Sequence, residues 1–159
     1  MGITTREIIG MAIGIEEAGY EFYTRSRGVF DDLSVKDAFH FLAGEELVHK
    51  EIFRSLLQQE DISADISDGS SAYLASIVDI RVFGGNRPDF EKILSGIMSP
   101  LDAIKLALNA EKESILFYSE MKKLYPPDGK TVSLLDRIIA EERKHVITLV
   151  NMAQKLRLI

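Results

Sequence analysis

The sequence predicts an all-α protein: an antiparallel four-helix bundle made of two repeated helical hairpins joined by a long crossover connection. Three observations predict it. Glu-Glu-x-x-His occurs once in each half of the chain, as Glu45-Glu46-Leu47-Val48-His49 and Glu141-Glu142-Arg143-Lys144-His145. Each copy follows, at closely matching spacing, a lone glutamate in a shared phrase: Ala12-x-x-x-Glu16-x-x-x-x-x-Phe22-Tyr23 and Ala107-x-x-x-Glu111-x-x-x-x-x-Phe117-Tyr118. Apolar residues recur at helical spacing through all four segments, and cap and turn signals bound them.

The first helix is expected to start near Thr4, which with Glu7 reads as a capping box, and to run to Arg27, where Gly28 ends it. Ser34 with Asp37 is expected to open the second helix, which carries its apolar stripe to Leu57. Ser99-Pro100 combines an N-cap with proline at the first helical position and opens the third. That helix stops at Tyr125, before the turn sequence Pro126-Pro127-Asp128-Gly129, and the fourth begins near Thr131. One domain therefore covers 1–159, with hairpins over 4–59 and 100–157 and a crossover over 60–98. Within the crossover, Tyr73, Leu74, Ile77, Val78 and Ile80 fit one short helix between Ser70 and Phe83. The plain reading of the crossover is a cover over one end of the bundle; the other is a contact between copies of the chain.

Helix geometry sets the glutamates level with one another. At about 1.5 Å per residue, Glu16 and Glu46 both lie roughly 16–18 Å from the turn between their helices, and Glu111 and Glu142 match in the second hairpin. Ala12, Ile13, Gly19 and Tyr20 flank Glu16; Leu42, Ala43, Phe39 and Phe53 flank Glu46. Ala107, Leu108 and Ile115 flank Glu111; Ile138, Ile139 and Val146 flank Glu142. All four carboxylates thus belong to stripes that should face the core. One Glu-x-x-His on a charged helix is ordinarily a solvated face. Four buried carboxylates, with no Lys or Arg at their level on the same stripes, would cost many kcal/mol or take up protons. Two divalent cations would neutralise them.

The candidate metal ligands are Glu16, Glu46, His49, Glu111, Glu142 and His145. Glu45 and Glu141 also stand one turn from the histidines and remain alternatives, although Arg137 and Lys144 beside Glu141 suggest a wet position. Glu17 and Glu113 read as surface charges, and His40, whose counterpart is Asp136, as structural or exposed. Tyr20, Tyr23 and Tyr118 lie on the ligand stripe as core aromatics whose hydroxyls can donate to a ligating carboxylate. Carboxylates with one imidazole per ion suit iron or manganese better than structural zinc, and composition does not separate the two. Six protein ligands for two ions leave positions open for a reactant.

Composition removes other classes. The 159 residues are 46% hydrophobic and 28% charged, ordinary for one folded domain. A net charge of −6 without a basic run argues against a nucleic-acid partner. The chain has no cysteine, which excludes disulfides, thiolate-bound zinc, iron–sulfur clusters and a cysteine nucleophile, and fits the cytoplasm. The apolar run Ile8 to Ile15, between Glu7 and Glu16, is too short to span a membrane, and no secretory leader is expected.

The phrases Ala12 to Tyr23, Leu42 to His49, Ala107 to Tyr118 and Glu141 to His145 resemble the rubrerythrin branch of the ferritin-like superfamily. The resemblance covers both hairpins and implies a ferritin-like bundle with a non-haem di-iron centre that reacts with hydrogen peroxide or dioxygen. It implies two iron ions on Glu16, Glu46, His49, Glu111, Glu142 and His145, with manganese or zinc as substitutes. A role in oxidative stress and a homodimer are expected with it. The chain departs from the family pattern in several places. Typical rubrerythrins carry a cysteine-ligated rubredoxin domain that feeds electrons to the centre. Without cysteine, the electrons must come from a separate donor protein. Many relatives also place an extra glutamate one turn beyond the third-helix ligand. Ser114 stands there, with only a hydroxyl to offer nearby groups. Haem-binding bacterioferritins place a methionine beside the ligand glutamate; Leu47 stands there, so no haem is expected. No fifth helix of the cage-forming ferritins is expected after the fourth. The leading expectation is an oxidoreductase. Ferrous oxidation for storage or delivery, or a metal-stabilised module without turnover, are the other functions the pattern allows.

Overall fold

The computed structural model describes residues 3–59, 66–83 and 88–157, all of whose regular structure is helical. Four long helices form the bundle: α1 (Thr5–Ser26), α2 (Leu33–Leu57), α5 (Pro100–Lys122) and α6 (Lys130–Arg157). Two shorter helices, α3 (Asp68–Asp79) and α4 (Phe90–Ser95), lie in the connection. Residues 60–65 and 84–87 of the expected crossover fall outside the described residues.

Local chemistry sets most helix ends. Thr4 caps α1 in a full capping box: its hydroxyl accepts from Glu7 N–H at 3.2 Å, and Glu7 accepts from Thr4 N–H at 2.7 Å. Ser99 caps α5, with Pro100 as the first helical residue. The expected start of α2 is corrected. Asp32, not Ser34, is the cap, accepting from Val35 N–H at 3.1 Å. Its carboxylate is an equally good acceptor two residues earlier, and the short hairpin turn lets it reach the free N–H groups. The third long helix likewise ends at Lys122, and tight turns carry the chain through Tyr125.

Within each hairpin the helices pack closely, α1 on α2 and α5 on α6. Across the bundle, Tyr23 reaches Glu111 and Tyr118 reaches Glu16. These contacts run in opposite senses along α1 and α5, so the two helices are antiparallel. Two apolar clusters fill the bundle on either side of the glutamates. Ile8, Ile9, Phe53, Phe117, Tyr118 and Ile138 belong to one; Phe22, Tyr23, Phe39, Leu42 and Ile104 belong to the other.

The connection does more than cover an end. Leu74 and Ile77 of α3 join the first cluster, while Phe83 and Phe90 join the second. The crossover therefore runs along the α1/α5 side, past the level of the glutamates. Phe83 stacks on Phe22 at 4.6 Å between ring centres and meets Phe90 at 5.9 Å. Glu113 fastens this segment to α5 by accepting from Val82 N–H at 3.0 Å. The sequence reading of Glu113 as a plain surface charge is thus corrected. A short helix over Ser70 to Phe83 was expected; α3 starts two residues earlier, capped by Ser67, and α4, opened by Asp89, was not foreseen.

Phe22, fully buried against Tyr23, Phe39 and Phe83, locks the connection to the core. Phe22→Ala should cost about 3–5 kcal/mol in chemical denaturation. Phe41→Ala, at a residue 57% exposed, should stay within ~0.5 kcal/mol of the parent. Similar losses in both would show that the aromatic core does not hold the connection.

Candidate metal centre

Glu16 and Glu111 come from the middle of α1 and α5, Glu46 and His49 from α2, and Glu142 and His145 from α6. On α2 and α6 the glutamate and histidine are three residues apart, one helical turn on one face. The structure brings all six together, and none is more than 5% exposed. They form two overlapping sets, Glu16, Glu46, His49, Glu142 and Glu46, Glu111, Glu142, His145. Within each set, one donor atom from every residue lies within 4.8 Å of the others. Glu46 and Glu142 belong to both sets.

The directions of these atoms are as informative as their distances. His49 Nδ1 lies 2.9 Å from Glu142 Oε1 and 3.6 Å from Glu16 Oε2. Nevertheless none of these three buried atoms makes a directed hydrogen bond. Atoms this close would bond if the hydrogen could point along the line between them; instead they face a common space. Buried polar atoms are rarely left so, and a cation among them would satisfy all three. The second set is tighter to itself: His145 Nδ1 bonds Glu142 Oε2 at 3.1 Å and lies 3.4 Å from Glu111 Oε2.

Surrounding residues fix the six. Tyr23 donates to Glu111 Oε1 and Tyr118 to Glu16 Oε1, each from the opposite hairpin. Both tyrosines are buried. Burial first, then the charges of the nearby glutamates, hold their hydroxyls well above the usual tyrosine range, so they remain donors. Tyr20 is different from the sequence expectation: it is 36% exposed and makes no hydrogen bond to the cluster among the described residues. Ser114 is buried and donates to Ala110 C=O at 3.0 Å. Glu45 and Glu141 are outside both donor sets, and both are only half-buried. Glu141 still has a place: its Oε2 lies 2.9 Å from His49 Nε2, on the ring nitrogen facing away from the cluster. Carboxylates in this position orient a ligand imidazole and raise its basicity. Spacing within α6 ties Glu141 to His145, so a partnership with His49 across the bundle was missed. Glu17 pairs with Lys50 at 3.0 Å, and His40 with Arg27 at the surface.

The protein without metal balances its charges with protons. Burial, then the charges of Glu142, Glu16 and Glu111, pushes Glu46 well above the carboxylate range. Burial and the nearby Glu111 raise Glu142 to about 8. Burial also pushes Glu16 and Glu111 upward, but the adjoining Glu46 and Glu142, the imidazoles and the tyrosines outweigh it, and both end low. Burial alone would lower the imidazoles, yet the adjoining carboxylates dominate and raise His49 to about 11 and His145 to about 10. The shifts thus favour protons on Glu46, Glu142 and both imidazoles, which offset the charge of Glu16 and Glu111. Two divalent cations on four carboxylates and two neutral imidazoles also balance, so the residues fit a metal pair.

The comparisons agree with this geometry. The family model described as Rubrerythrin matches residues 7–153. A crystal structure of a Thermotoga maritima protein classed as ferritin-like and diiron-carboxylate superposes with a TM-score of 0.72. It is 26% identical, and the match covers 97% of each chain. An uncharacterised protein of Archaeoglobus fulgidus is 37% identical over 62 residues, 39% of this chain and 95% of that relative.

The protonation pattern fixes the sign of the pH dependence. Glu142 titrates near 8 when folded and 4.5 when free; the imidazoles titrate near 10 to 11 when folded and 6.5 when free. A raised value stabilises the fold at low pH, and that stability is lost as pH rises through the folded value. Glu16 and Glu111, lowered from 4.5, oppose this only in acid. The melting temperature of chelator-treated protein should therefore fall steadily from about pH 6 to about pH 9. Manganous or ferrous ions should raise it, by a margin that widens with pH, and two ions should displace about four protons near pH 7. Scanning calorimetry and unbuffered titration check both. A metal-free melting temperature that climbs across this range would contradict the assignment.

Proposed function

The chain belongs to the rubrerythrin family, and from that premise we propose that it is a non-haem di-iron oxidoreductase that reduces hydrogen peroxide or dioxygen with electrons from a separate donor protein. The observation that carries the reading is the convergence of buried, unbonded donor atoms of Glu16, His49 and Glu142 on one space inside a six-residue carboxylate–imidazole cluster. Structural sites close their coordination shell with four protein ligands. Six residues shared by two ions leave positions free, as redox chemistry with a small oxidant requires.

In this reading Glu16 and His49 would hold one iron and Glu111 and His145 the other, with Glu46 and Glu142, which belong to both donor sets, available to each. A bound iron pair supplies two electrons, one from each ion, enough with two protons to convert one hydrogen peroxide to two waters. The rest is the work of the chain. The tyrosine hydroxyls of Tyr23 and Tyr118 each occupy one oxygen of Glu111 and Glu16, leaving the other oxygen to face the cluster. Glu141 holds the ring of His49 with Nδ1 inward. Phe22, Phe39, Phe53 and Phe117, all fully buried, close the bundle above and below and exclude bulk water. The chain contains no cysteine, so thiolate-bound redox iron within it cannot feed the centre. In this reading electrons come from a separate donor protein.

Metal analysis of anaerobically purified protein should give about two irons per chain, and rapid mixing with peroxide or dioxygen should oxidise them. Glu46→Ala and Glu142→Ala should each lose most of the metal, because each removes a group shared by both ions. Glu17→Ala, whose carboxylate faces Lys50, should keep it. Equal metal content in the three variants would defeat the ligand assignment. Full loading with ferrous iron that neither oxidant consumes would defeat the enzymatic one.

A further inference from the structure

Arg81 follows α3 and is buried against the side of the cluster, its side chain 3% exposed. A buried guanidinium ordinarily spends its donors on carboxylates or carbonyls. This one is poorly matched. Nη2 donates to Ser114 Oγ at 3.4 Å, a long bond, and Nε lies 3.9 Å from Glu113 Oε2, beyond hydrogen-bond reach. Nη1 is buried with no hydrogen-bond partner among the described residues.

Beside it is a cavity of about 10 Å³ bounded by Gly19, Tyr23, Glu46, Arg81, Glu111 and Ser114. That is room for about one water-sized molecule. Two of these residues, Glu46 and Glu111, belong to the carboxylate cluster. Gly19 and Ser114 hold equivalent positions in the two sequence repeats, and both keep the space open. A Cβ at Gly19 would stand 3.1 Å from the Glu46 carboxyl carbon and 3.2 Å from its Oε2. On its other side Arg81 borders a far larger groove of about 970 Å³ between α1 and the connection, which shares Ile15, Arg81 and Phe83 with the small cavity. Arg81 thus stands in the wall between solvent and cluster.

Charge gives the direction. Two divalent ions already cancel the four carboxylates, so the arginine is a surplus cation once metal is bound. Glu113, partly exposed, offsets it from the Nε side only. Nη1 remains without a partner among the described residues, and Arg81 lines a space that admits one small acceptor.

The geometry points to Arg81, supported by Ser114, as the binding residue for a small hydrogen-bond acceptor entering from the groove, one oxygen of hydrogen peroxide or a monatomic anion, beside Glu46 and Glu111. This assignment rests on the di-iron reading above and names where its oxidant docks. Arg81 donates Nη1–H to the incoming oxygen or anion while leaving the six cluster residues untouched.

Fluoride is a suitable probe, being one atom and a strong acceptor. Oxidised, iron-loaded protein is titrated optically with sodium fluoride at constant ionic strength. Arg81→Leu should keep its iron content and bind fluoride roughly tenfold or more weakly, the loss of one charge-assisted hydrogen bond. Arg81→Lys, which keeps the charge without the fork, should fall between, and also serves if the leucine variant does not fold. In peroxide turnover both should raise KM more than they lower kcat. Wild-type fluoride affinity in the variants at full iron content overturns the assignment, as does a wild type that binds fluoride no better than Arg81→Leu. The two readings fail separately. Arg81-dependent fluoride binding without peroxide consumption would sink the oxidoreductase and leave the subsite, and peroxide turnover indifferent to Arg81 would do the reverse.

Discussion

Everything in this bundle is arranged around the cost of burying four carboxylates in one layer. Glu16, Glu46, Glu111 and Glu142 are each at most 5% exposed. Ionised together and unpaired, they would be untenable at the low effective dielectric of a core. The fold admits two solutions of equal charge: four protons or two dications. The metal-free solution is visible in the raised values of Glu46, Glu142, His49 and His145. It is an imperfect one, since a proton satisfies one pair of atoms whereas a cation satisfies four to six. The unbonded atoms of Glu16, His49 and Glu142 are what protons fail to satisfy.

The duplicated hairpin makes this arrangement economical. Each half contributes a lone glutamate, a Glu-x-x-His and a tyrosine, and antiparallel packing sends each tyrosine to the other half's glutamate. Neither hairpin is complete alone: the layer's hydrogen bonds cross between repeats at both ends. The two aromatic and aliphatic clusters lie on either side of this layer, so apolar packing supplies the rigidity that the polar layer, with its competing charges, cannot.

The repeat also decides what could be read from sequence. Residues with a counterpart in the other half were legible: the six cluster residues recur, and so do Tyr23 and Tyr118. Tyr20 has Ile115 as its counterpart, and the lack of a second tyrosine was the available sign that it lies apart from the cluster. Thr4 and Ser99 were legible because capping is local, whereas Asp32 and Ser34 are rival caps and the hairpin turn chooses between them. Arg81 was not legible at all. It has no periodic context, and its burial follows from the path of the crossover along α1 and α5. Glu113 and Glu141 escaped for a related reason. Their partners, Val82 and His49, lie on other elements, and helix spacing reports only neighbours on the same helix.

These unrepeated residues break the symmetry of a symmetric scaffold. Glu141 sits on the outer nitrogen of His49, while Glu45, its counterpart, makes no such bond to His145 among the described residues. An imidazole backed by a carboxylate is the stronger donor and favours the more highly charged ion. Arg81 borders the small cavity beside Glu46 and Glu111, and its charge also reaches Tyr118, the donor to Glu16. Neither addition has a counterpart in the other repeat: Glu141 backs His49 alone, and Arg81 enters from the crossover on one side only, so the two halves of the cluster are not equivalent.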